Sequence, residues 1–497
     1  MATTARTFKN LIGGEWVDAS GGESFESLSP ATGDHIGTFP RSSAEDVDRA
    51  VAAAKEAFET WRLVPAPKRG EIVFRFAALV AEHKQELSEL MSREMGKVLA
   101  EAGGDVQEAV DMSYYMAGEG RRLFGQTTPS ELPDKFNMSI RQPIGVVGVI
   151  TPWNFPIAIP SWKIVPALVC GNTVVFKPAN DTPALGERFV ELLQEAGVPA
   201  GVVNVVHGFG GEVGDRIVRH PDVPVVTLTG SRETGVAVLK AAADNLKHVH
   251  LELGGKNGII VMEDADLDLA ADGIVWSAFG TSGQRCTAAS RVIVHEDVYD
   301  ALAGRLVAAA ERMRLGPGWE ADTDVGPVIN RKALDKIHSY TEIGKGEGAD
   351  LLTGGEVASG NGLDRGFFYR PTIFGNVDPQ MRIAQEEIFG PTTALIRVRD
   401  FDEAIGVANG IRYGLSSSIF TRDVNRAFRA MRDLQAGITY INAGTIGAEV
   451  HLPFGGTKDT GNGHREAGVA ALDVFTEWKS IYVDYSGKLQ KAQIDNA

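Results

Sequence analysis

Short apolar runs alternate with helical patterns along most of this 497-residue chain, and this alternation restricts the fold more than any other feature. In the first half the apolar runs are residues 146–150, 173–176, 202–206 and 225–228, and the helical patterns are residues 183–196 and 231–243. Continuous apolar strands that alternate with helices are typical of a parallel sheet with both faces covered. The pattern predicts a doubly wound, nucleotide-binding α/β domain.

A second series of the same kind begins near Gly255. Its apolar runs are residues 258–262, 291–294, 393–398 and 437–441, and its first helical pattern is residues 266–278. We therefore expect a second α/β domain, with the boundary near Gly254 and Gly255. Two further stretches, residues 124–140 and 479–485, suit neither core and are better suited to pairing with another subunit.

The N-terminal region predicts helices. Ser42 and Glu45 have capping-box spacing and precede an alanine-rich stretch that ends near Trp61. A longer helical pattern runs from residue 68 to residue 95. The glycine-rich stretch 208–214 lacks the spacing of a dinucleotide fingerprint, and we interpret it as a turn.

Composition limits the class of protein. The length, with 43% hydrophobic and 23% charged residues, predicts a large globular protein of at least two domains. A net charge of -16 disfavours nucleic acid and anionic membranes as partners. The N-terminus lacks a signal-peptide pattern, so we expect a cytoplasmic location. The ten histidines are scattered, and no grouping of histidine and cysteine has the spacing of a metal site.

Cys286 is one of only two cysteines, and its surroundings differ from those of Cys170. Cys170 lies in the apolar run 165–176, which predicts packing in a core. Cys286 lies in the glycine-rich stretch 279–287, where the backbone stays approachable. This setting makes Cys286 a candidate nucleophile, and the alternative is an ordinary loop cysteine.

Four motifs occur together in order: Pro-Trp-Asn-Phe-Pro at 152–156, Leu-Glu-Leu-Gly-Gly-Lys at 251–256, Gly-Gln-Arg-Cys at 283–286 and Glu-Glu-Ile-Phe-Gly-Pro at 386–391. With them the chain resembles the aldehyde dehydrogenase superfamily over essentially its whole length. The resemblance implies two doubly wound α/β domains and a small β flap, assembled as homodimers or homotetramers. It implies a dinucleotide-binding domain at residues 1–123 and 143–254, a catalytic domain at 255–450, an oligomerisation segment at 124–142 and 478–497, and a return to the cofactor domain at 451–477.

Aldehyde oxidation gives roles to three residues. A flat carbonyl loses hydride poorly, so a thiolate first adds to it, and Cys286 would be that nucleophile. Asn154, held between two prolines, and the backbone N–H of Cys286 would stabilise the oxyanion. The resemblance implies that Glu252 is the base that activates a water molecule to hydrolyse the resulting thioester. Relatives that pass the acyl group to coenzyme A lack this glutamate, so the sequence favours an acid-forming reaction.

The resemblance also implies NAD or NADP as the cofactor. A strand that ends at Gly230 and Ser231 before a helix suits a pyrophosphate, because backbone N–H groups and the helix dipole attract anions. Lys177 would contact the adenosine ribose. Asn180 stands where strict NAD users often carry glutamate, so both cofactors stay open. The predicted cofactor residues are Ile150, Thr151, Trp153, Lys177, Asn180, Gly230, Ser231, Leu253, Gly254, Glu387 and Phe389.

Arg285 would attract a distal carboxylate of the aldehyde substrate through charge-assisted hydrogen bonds, and the alternative is an ordinary surface arginine. Here the chain resembles branches that oxidise 2-oxoglutarate semialdehyde and 2-aminoadipate semialdehyde. The second branch implies that Glu108 and the backbone of Gly447 and Ala448 grip the amino acid end, although residues 255–257 depart from its pattern. We favour the 2-oxo acid, with the amino acid or broad-range oxidation as alternatives.

Two functions from other classes stay open at the level of sequence. One is a cysteine esterase, because a thiolate beside an oxyanion hole also cleaves activated esters. The other is a non-catalytic scaffold protein. The presence of Cys286, Glu252 and Asn154 together disfavours a scaffold, which needs none of them.

The contrast between the two cysteines gives a first prediction. Cys286→Ala should abolish aldehyde oxidation and leave dinucleotide binding intact, because only the nucleophile is lost. Cys170→Ala should retain activity and lower the temperature of thermal unfolding, because it opens a cavity in a core. Oxidation by the Cys286→Ala enzyme would contradict the assignment of the nucleophile.

Overall fold

The computed structural model describes residues 6–495. A first sheet contains seven strands, in the spatial order His248–Glu252, Val225–Thr229, Val146–Ile150, Thr173–Lys177, Val203–Val205, Asn10–Ile12 and Glu15–Val17. Neighbours among the first five strands are parallel. Asn10–Ile12 pairs antiparallel with Val203–Val205 on one side and with Glu15–Val17 on the other. The parallel strands are buried almost throughout, as their continuous apolar sequences predict.

The strand order of the first sheet reverses beside Val146–Ile150. The chain passes from this strand to Thr173–Lys177 and Val203–Val205 on one side, and then returns to Val225–Thr229 on the other. Ligands of doubly wound sheets bind at such a reversal, outside the carboxyl ends of the strands. Thr151 and Gly230, which follow the two strands at the reversal, therefore lie at the expected ligand crevice.

Helices cover both faces of the first sheet. They are Ala44–Trp61, Ala66–Glu82, Lys84–Glu94, Leu99–Glu119, Ala158–Cys170, Pro183–Glu195, Asp215–Arg219 and Arg232–Ala243. Cys170 ends one of them and is fully buried in the core that this helix shares with the sheet. Its predicted packing role agrees with this position.

A second sheet has seven strands in the order Asp350–Thr353, Thr372–Gly375, Thr392–Val398, Ala289–His295, Asn257–Val261, Ser416–Phe420 and Ile438–Ile441. All neighbours are parallel except the first pair. Its helices are Leu267–Phe279, Glu296–Arg312, Arg331–Gly346, Arg382–Gln385, Phe401–Asn409 and Val424–Asp433. The two doubly wound sheets confirm the predicted α/β class.

Smaller elements complete the fold. A three-stranded antiparallel sheet is formed by Thr476–Asp484, Lys135–Pro143 and Gln126–Pro129. The stretches 124–140 and 479–485, which the sequence assigned to neither core, thus pair with each other within one chain. The remaining elements are the strands Arg6–Thr7, Ser24–Leu28, His35–Pro40, Tyr413–Gly414 and Thr457–Lys458, the helix Ala471–Val474 and the short turns Gly210–Gly214, Gly280–Gly283 and Leu363–Arg365. No helix between residues 6 and 495 is long and apolar enough to cross a membrane.

The first helix corrects one local prediction. Its N-cap is Ser43, whose hydroxyl accepts from Glu45 N, and Asp46 completes the capping box. Ser42, the predicted cap, is buried and accepts a hydrogen bond from Asn10 Nδ2 at 2.7 Å. Both serine-acid pairs have the spacing of a capping box, and the contact with Asn10, far away in sequence, decides between them.

Two further local predictions were wrong. The helix predicted over residues 68–95 is interrupted at His83, which ends Ala66–Glu82 and begins Lys84–Glu94. The stretch interpreted as a turn contains the helical turn Gly210–Gly214, which continues directly into Asp215–Arg219. In both places these elements pack against other helices of the domain, and such distant contacts are not encoded in the local sequence.

Candidate active site

The carboxyl ends of the first sheet meet the amino ends of the second. Glu252 is the last residue of a first-sheet strand, and Cys286 precedes the second-sheet strand Ala289–His295. A cavity of about 250 Å³ lies at this junction. It is lined by Ala100, Glu101, Gly104, Asp105, Glu108, Phe155, Ile159, Trp162, Thr229, Glu252, Leu253, Trp276, Arg285, Cys286, Thr287, Ile446, Gly447, Ala448, Phe454 and Glu466.

Cys286 faces the cavity at the end of a tightly held loop. Asn257 Nδ2 donates to the carbonyl of Cys286 at 2.7 Å. A Cβ at Gly255 would lie 2.3 Å from that carbonyl oxygen, so only glycine allows this approach. Burial, with the charges of Glu252 and Glu387, raises the pKa of the Cys286 thiol to about 12. The resting nucleophile is therefore the neutral thiol, and a base must remove its proton.

Asn154 is buried beside the same loop. Its Nδ2 donates to the carbonyl of Gln284 at 3.0 Å, two residues before Cys286. This contact uses one of the two N–H groups of the amide. The structure thus brings the predicted oxyanion donor and the predicted nucleophile to one loop.

Glu252 is buried, and neither carboxylate oxygen has a hydrogen-bond partner among the described residues. Burial and the nearby charge of Glu466 raise the pKa of Glu252 well above its ordinary value, whereas Lys163 and Arg465 act in the opposite direction. A carboxyl whose pKa is raised in this way is able to accept a proton near neutral pH.

A buried network stands behind Glu252. Lys163 forms an ion pair with Glu466 and donates to Thr227 Oγ1 at 2.9 Å. His250 Nδ1 lies 3.2 Å from the same hydroxyl and 3.5 Å from Glu466 Oε1. The sequence had suggested no partner for His250, and Lys163 and Glu466 were missed entirely. A lysine within the apolar helix Ala158–Cys170 was the one available signal, since a buried lysine needs a partner.

Arg285 lines the cavity and is not an ordinary surface arginine. Its Nη2 donates to Glu101 Oε1 at 3.0 Å and its Nε to Thr281 Oγ1 at 2.9 Å. The guanidinium lies near the rings of Phe155 and Trp276, at 5.6 and 5.2 Å from their centroids. These contacts fix the cation in a partly apolar wall of the cavity.

The other three predicted substrate residues lie around the same cavity. Glu108 is at the border with a wider surface depression, and Gly447 and Ala448 lie on a loop that also faces the cavity. Burial and the charge of Asp105 raise the pKa of Glu108 to about 8. At neutral pH Glu108 is therefore mostly a neutral acid that can donate a hydrogen bond.

The predicted cofactor residues flank the strand reversal of the first sheet. Ser231 caps the helix Arg232–Ala243, with Thr234 N donating to its hydroxyl at 3.2 Å. Gly230 N donates to the carbonyl of Glu252 at 3.0 Å, and Thr151 N donates to that of Lys177 at 3.3 Å. Ile150 is the last residue of its strand. The crevice thus has the N-terminus of the helix Arg232–Ala243 on one side and Lys177 on the other.

Lys177 is buried, and its Nζ donates to the carbonyl of Pro178 at 2.8 Å. Burial lowers the pKa of Lys177 to about 8. Asn180 follows three residues later, and its amide lies 3.5 Å from the carboxylate of Asp181. The neighbourhood of Lys177 therefore does contain one carboxylate, one residue beyond the predicted position.

The other end of the crevice lies at Glu387. Its Oε1 accepts from Gly255 N at 2.8 Å, and a Cβ at Gly254 would lie 2.5 Å from its Oε2. Leu253 N donates to the carbonyl of Thr460 at 2.7 Å. Phe389 adopts a left-handed φ of 61° and meets Trp153 edge to face, with 5.6 Å between ring centroids. The predicted cofactor residues thus lie at or just after the carboxyl ends of first-sheet strands, or in the segment of Glu387 and Phe389, where Glu387 contacts Gly255.

Comparison with known proteins agrees with this geometry. The model of the aldehyde dehydrogenase family matches residues 16–481. The chain belongs to the aldehyde dehydrogenase family. It is 42% identical over 482 residues to alpha-ketoglutaric semialdehyde dehydrogenase of Bacillus subtilis (strain 168), covering 97% of this chain and 99% of the relative. It is 43% identical over 479 residues to alpha-ketoglutarate semialdehyde dehydrogenase of Haloferax volcanii, covering 96% and 99%.

Solved structures of the family share the fold. Betaine aldehyde dehydrogenase from Staphylococcus aureus, crystallised with NAD+, superposes with a TM-score of 0.95 at 36% identity, covering 97% of this chain and 95% of that one. The family resemblance predicted from the four motifs is confirmed.

The charge of Glu466 gives a prediction for the pH profile. Glu466→Gln removes a negative charge that raises the pKa of Glu252, so Glu252 should ionise at lower pH and the rising limb of acyl-enzyme hydrolysis should move to lower pH. Single-turnover hydrolysis measured from pH 5 to 9 checks this. Glu477→Gln, at an exposed carboxylate that pairs with His248, is the control and should leave the limb in place. If the rising limb of the pH profile stays in place or moves to higher pH in Glu466→Gln, the charge of Glu466 does not raise the pKa of Glu252.

Proposed function

We propose that this aldehyde dehydrogenase oxidises a carboxylate-bearing semialdehyde, 2-oxoglutarate semialdehyde, to the corresponding acid with NAD or NADP as the oxidant. The observation that carries the proposal is the single cavity that contains Cys286, Glu252 and the fixed cation Arg285. The two semialdehyde dehydrogenases at 42% and 43% identity support the same substrate.

Oxidation begins with Cys286. Its thiol loses a proton to the ionised carboxylate of Glu252 in the same cavity, and the sulfur adds to the aldehyde carbon. The carbonyl oxygen becomes an oxyanion, which is stabilised by the amide of Asn154 and the backbone N–H of Cys286. The tetrahedral carbon then carries a hydrogen that departs as hydride, leaving a thioester on Cys286.

The crevice of the first sheet fits a dinucleotide. The N-terminus of Arg232–Ala243 would take the pyrophosphate, and the remaining N–H groups of Lys177 would take the adenosine ribose. A Cβ at Gly254 would lie 2.5 Å from Glu387 Oε2, so only glycine allows the carboxylate of Glu387 to pack this closely beside the Cys286 loop. When bound, the oxidised nicotinamide accepts the hydride. Because residue 180 is an asparagine and Asp181 supplies a carboxylate one position later, we keep both NAD and NADP as candidates.

Glu252 supports hydrolysis of the thioester. Its two carboxylate oxygens are not used by other described residues, so they are available to take a proton from the attacking water. The proton is then held on Glu252, in a buried region that also contains Glu466, Lys163 and His250. Release of a free acid, rather than transfer to coenzyme A, follows from this base.

The walls of the cavity favour a 2-oxo acid over a 2-amino acid. Arg285 offers a cation to the distal carboxylate. Glu108 with a pKa of about 8 is mostly neutral at pH 7, so it donates a hydrogen bond to an oxo or carboxylate oxygen. A 2-aminoadipate substrate would instead need an ionised Glu108 beside its ammonium group.

The three-stranded sheet supports assembly as a homodimer or homotetramer. Phe136, Trp478, Tyr482 and Val483 are exposed on this sheet in the single chain. Trp478 and Tyr482 share one face of the strand Thr476–Asp484, and Val483 shares the other face with its cross-strand partner Phe136, so both faces expose apolar groups of the kind found at interaction surfaces. The oligomerisation segment predicted at residues 124–142 and 478–497 overlaps the small sheet of Gln126–Pro129, Lys135–Pro143 and Thr476–Asp484, which supports this part of the proposal.

Arg285→Ala tests the substrate class. We expect a KM for 2-oxoglutarate semialdehyde that is roughly tenfold to a hundredfold higher, because a charge-assisted pair in a partly desolvated cavity contributes about 1.5 to 3 kcal/mol. The KM for pentanal, an uncharged aldehyde of equal length, should barely change. Steady-state kinetics with NAD and with NADP separately provide the measurement.

The ratio of kcat/KM for the two aldehydes decides the outcome. A ratio that is the same in wild type and Arg285→Ala means that Arg285 does not select the carboxylate. Arg305→Ala is a suitable control, since this exposed arginine pairs with Asp268 away from the cavity.

A further inference from the structure

Glu101 is a buried carboxylate in the cavity wall that none of the steps above uses. It lies in the first turn of the helix Leu99–Glu119 and is 7% exposed. Its two oxygens accept from Thr281 N at 2.8 and 3.0 Å, and Oε2 also accepts from the Thr281 hydroxyl at 3.2 Å. Oε1 in addition accepts from Arg285 Nη2 at 3.0 Å. One carboxylate therefore binds both the start of the Cys286 loop and the arginine beside it.

The loop that Glu101 binds has a backbone that needs support. Thr281, Ser282 and Gly283 have φ angles of 53°, 55° and 68°, which form a left-handed turn directly before Gln284. A β-branched residue is rare in this region, and such a conformation persists only where surrounding contacts hold it. Gly280 is part of the arrangement, because a Cβ there would lie 2.7 Å from Glu101 Oε1.

The arginine that Glu101 binds has other acceptors within reach. Asp105 and Glu108 follow Glu101 at helical spacing, so the three carboxylates share one face of the helix. Asp105 is already bound by Lys97 Nζ at 2.8 Å and by Ala158 N at 2.8 Å. Glu108 has no ion-pair partner among residues 6–495. It lies close enough to Arg285 for that positive charge to act on the pKa of Glu108, in the direction opposite to burial. Without Glu101, Arg285 would keep only its hydrogen bond to Thr281 Oγ1 among these contacts, and its guanidinium would be less firmly fixed.

We propose that Glu101 is a positioning residue that fixes the substrate-binding arginine and the nucleophile loop together. Its carboxylate holds Nη2 of Arg285 while Thr281 holds Nε, so the Nη1 group stays directed to the cavity. The same carboxylate stabilises the left-handed turn that places Cys286. The part that concerns Arg285 rests on the proposed function, and the part that concerns the loop does not.

The test compares Glu101→Ala and Glu101→Gln with wild type, using 2-oxoglutarate semialdehyde and pentanal. Glu101→Ala should lower the ratio of kcat/KM for the charged aldehyde to that for pentanal by about tenfold. Glu101→Gln should give an intermediate ratio, because its amide oxygen still accepts from Arg285 or Thr281. Glu119→Ala is the matched control: Glu119 is a buried carboxylate of the same helix that pairs with Arg122, and its loss should leave the ratio unchanged.

A second measurement follows the loop without the substrate. Alkylation of Cys286 by iodoacetamide should be several-fold slower in Glu101→Ala than in wild type, and largely restored in Glu101→Gln. Equal losses for both aldehydes, or a higher ratio, would overturn the role toward Arg285. Unchanged alkylation would overturn the role toward the loop. If wild type itself does not prefer the charged aldehyde, the proposed substrate class fails, and alkylation still decides whether Glu101 positions the loop.

Discussion

Burial of ionisable groups at the junction of the two sheets controls the chemistry of this protein. Burial raises the pKa of Cys286 to about 12 and that of Glu252 well above its ordinary value. Each group alone would be poorly reactive in this state, because the thiol stays protonated and the raised pKa disfavours ionisation of the carboxyl. Because both line one cavity, the carboxylate of Glu252, once ionised, can take the proton of the thiol.

The cost of burying charges is met by pairing them. Lys163 pairs with Glu466, Lys97 with Asp105, and Arg285 with Glu101, all around the same cavity. Removal of one partner from such a pair leaves an uncompensated buried charge, which is strongly destabilising. Among residues 6–495, Glu252 and Glu108 are the acids of the cavity that form no ion pair, and both have a raised pKa. These two are free to act on water and on substrate.

Much of this arrangement could be predicted from the sequence. The strand Val146–Ile150 was predicted residue for residue, because a buried parallel strand is a continuous apolar run between turn residues. The site residues Cys286, Glu252 and Asn154 stand in local motifs, so their proximity followed once the family resemblance was recognised. The structure brings all three to the same junction.

The remaining features depend on contacts between distant parts of the chain. Lys163 and Glu466 are 303 residues apart, and Glu101 and Arg285 are 184 residues apart. Nothing in the local sequence of Glu101 distinguishes it from a solvated helical glutamate. The cap at Ser43 was missed for the same reason, because Asn10, which is distant in sequence, donates a hydrogen bond to the hydroxyl of Ser42. Such pairs follow from topology, which sets the position of each helix over the sheet.

Glu252→Gln tests the central claim most directly, because hydrolysis through this carboxyl separates an acid-forming dehydrogenase from other uses of the same thiol. The measurement is rapid mixing of enzyme, aldehyde and cofactor, with mass spectrometry of the quenched protein. We predict a burst of reduced cofactor of about one per active site, then slow turnover, with the acyl group on Cys286. An unchanged steady-state rate without accumulated acyl-enzyme would contradict the account.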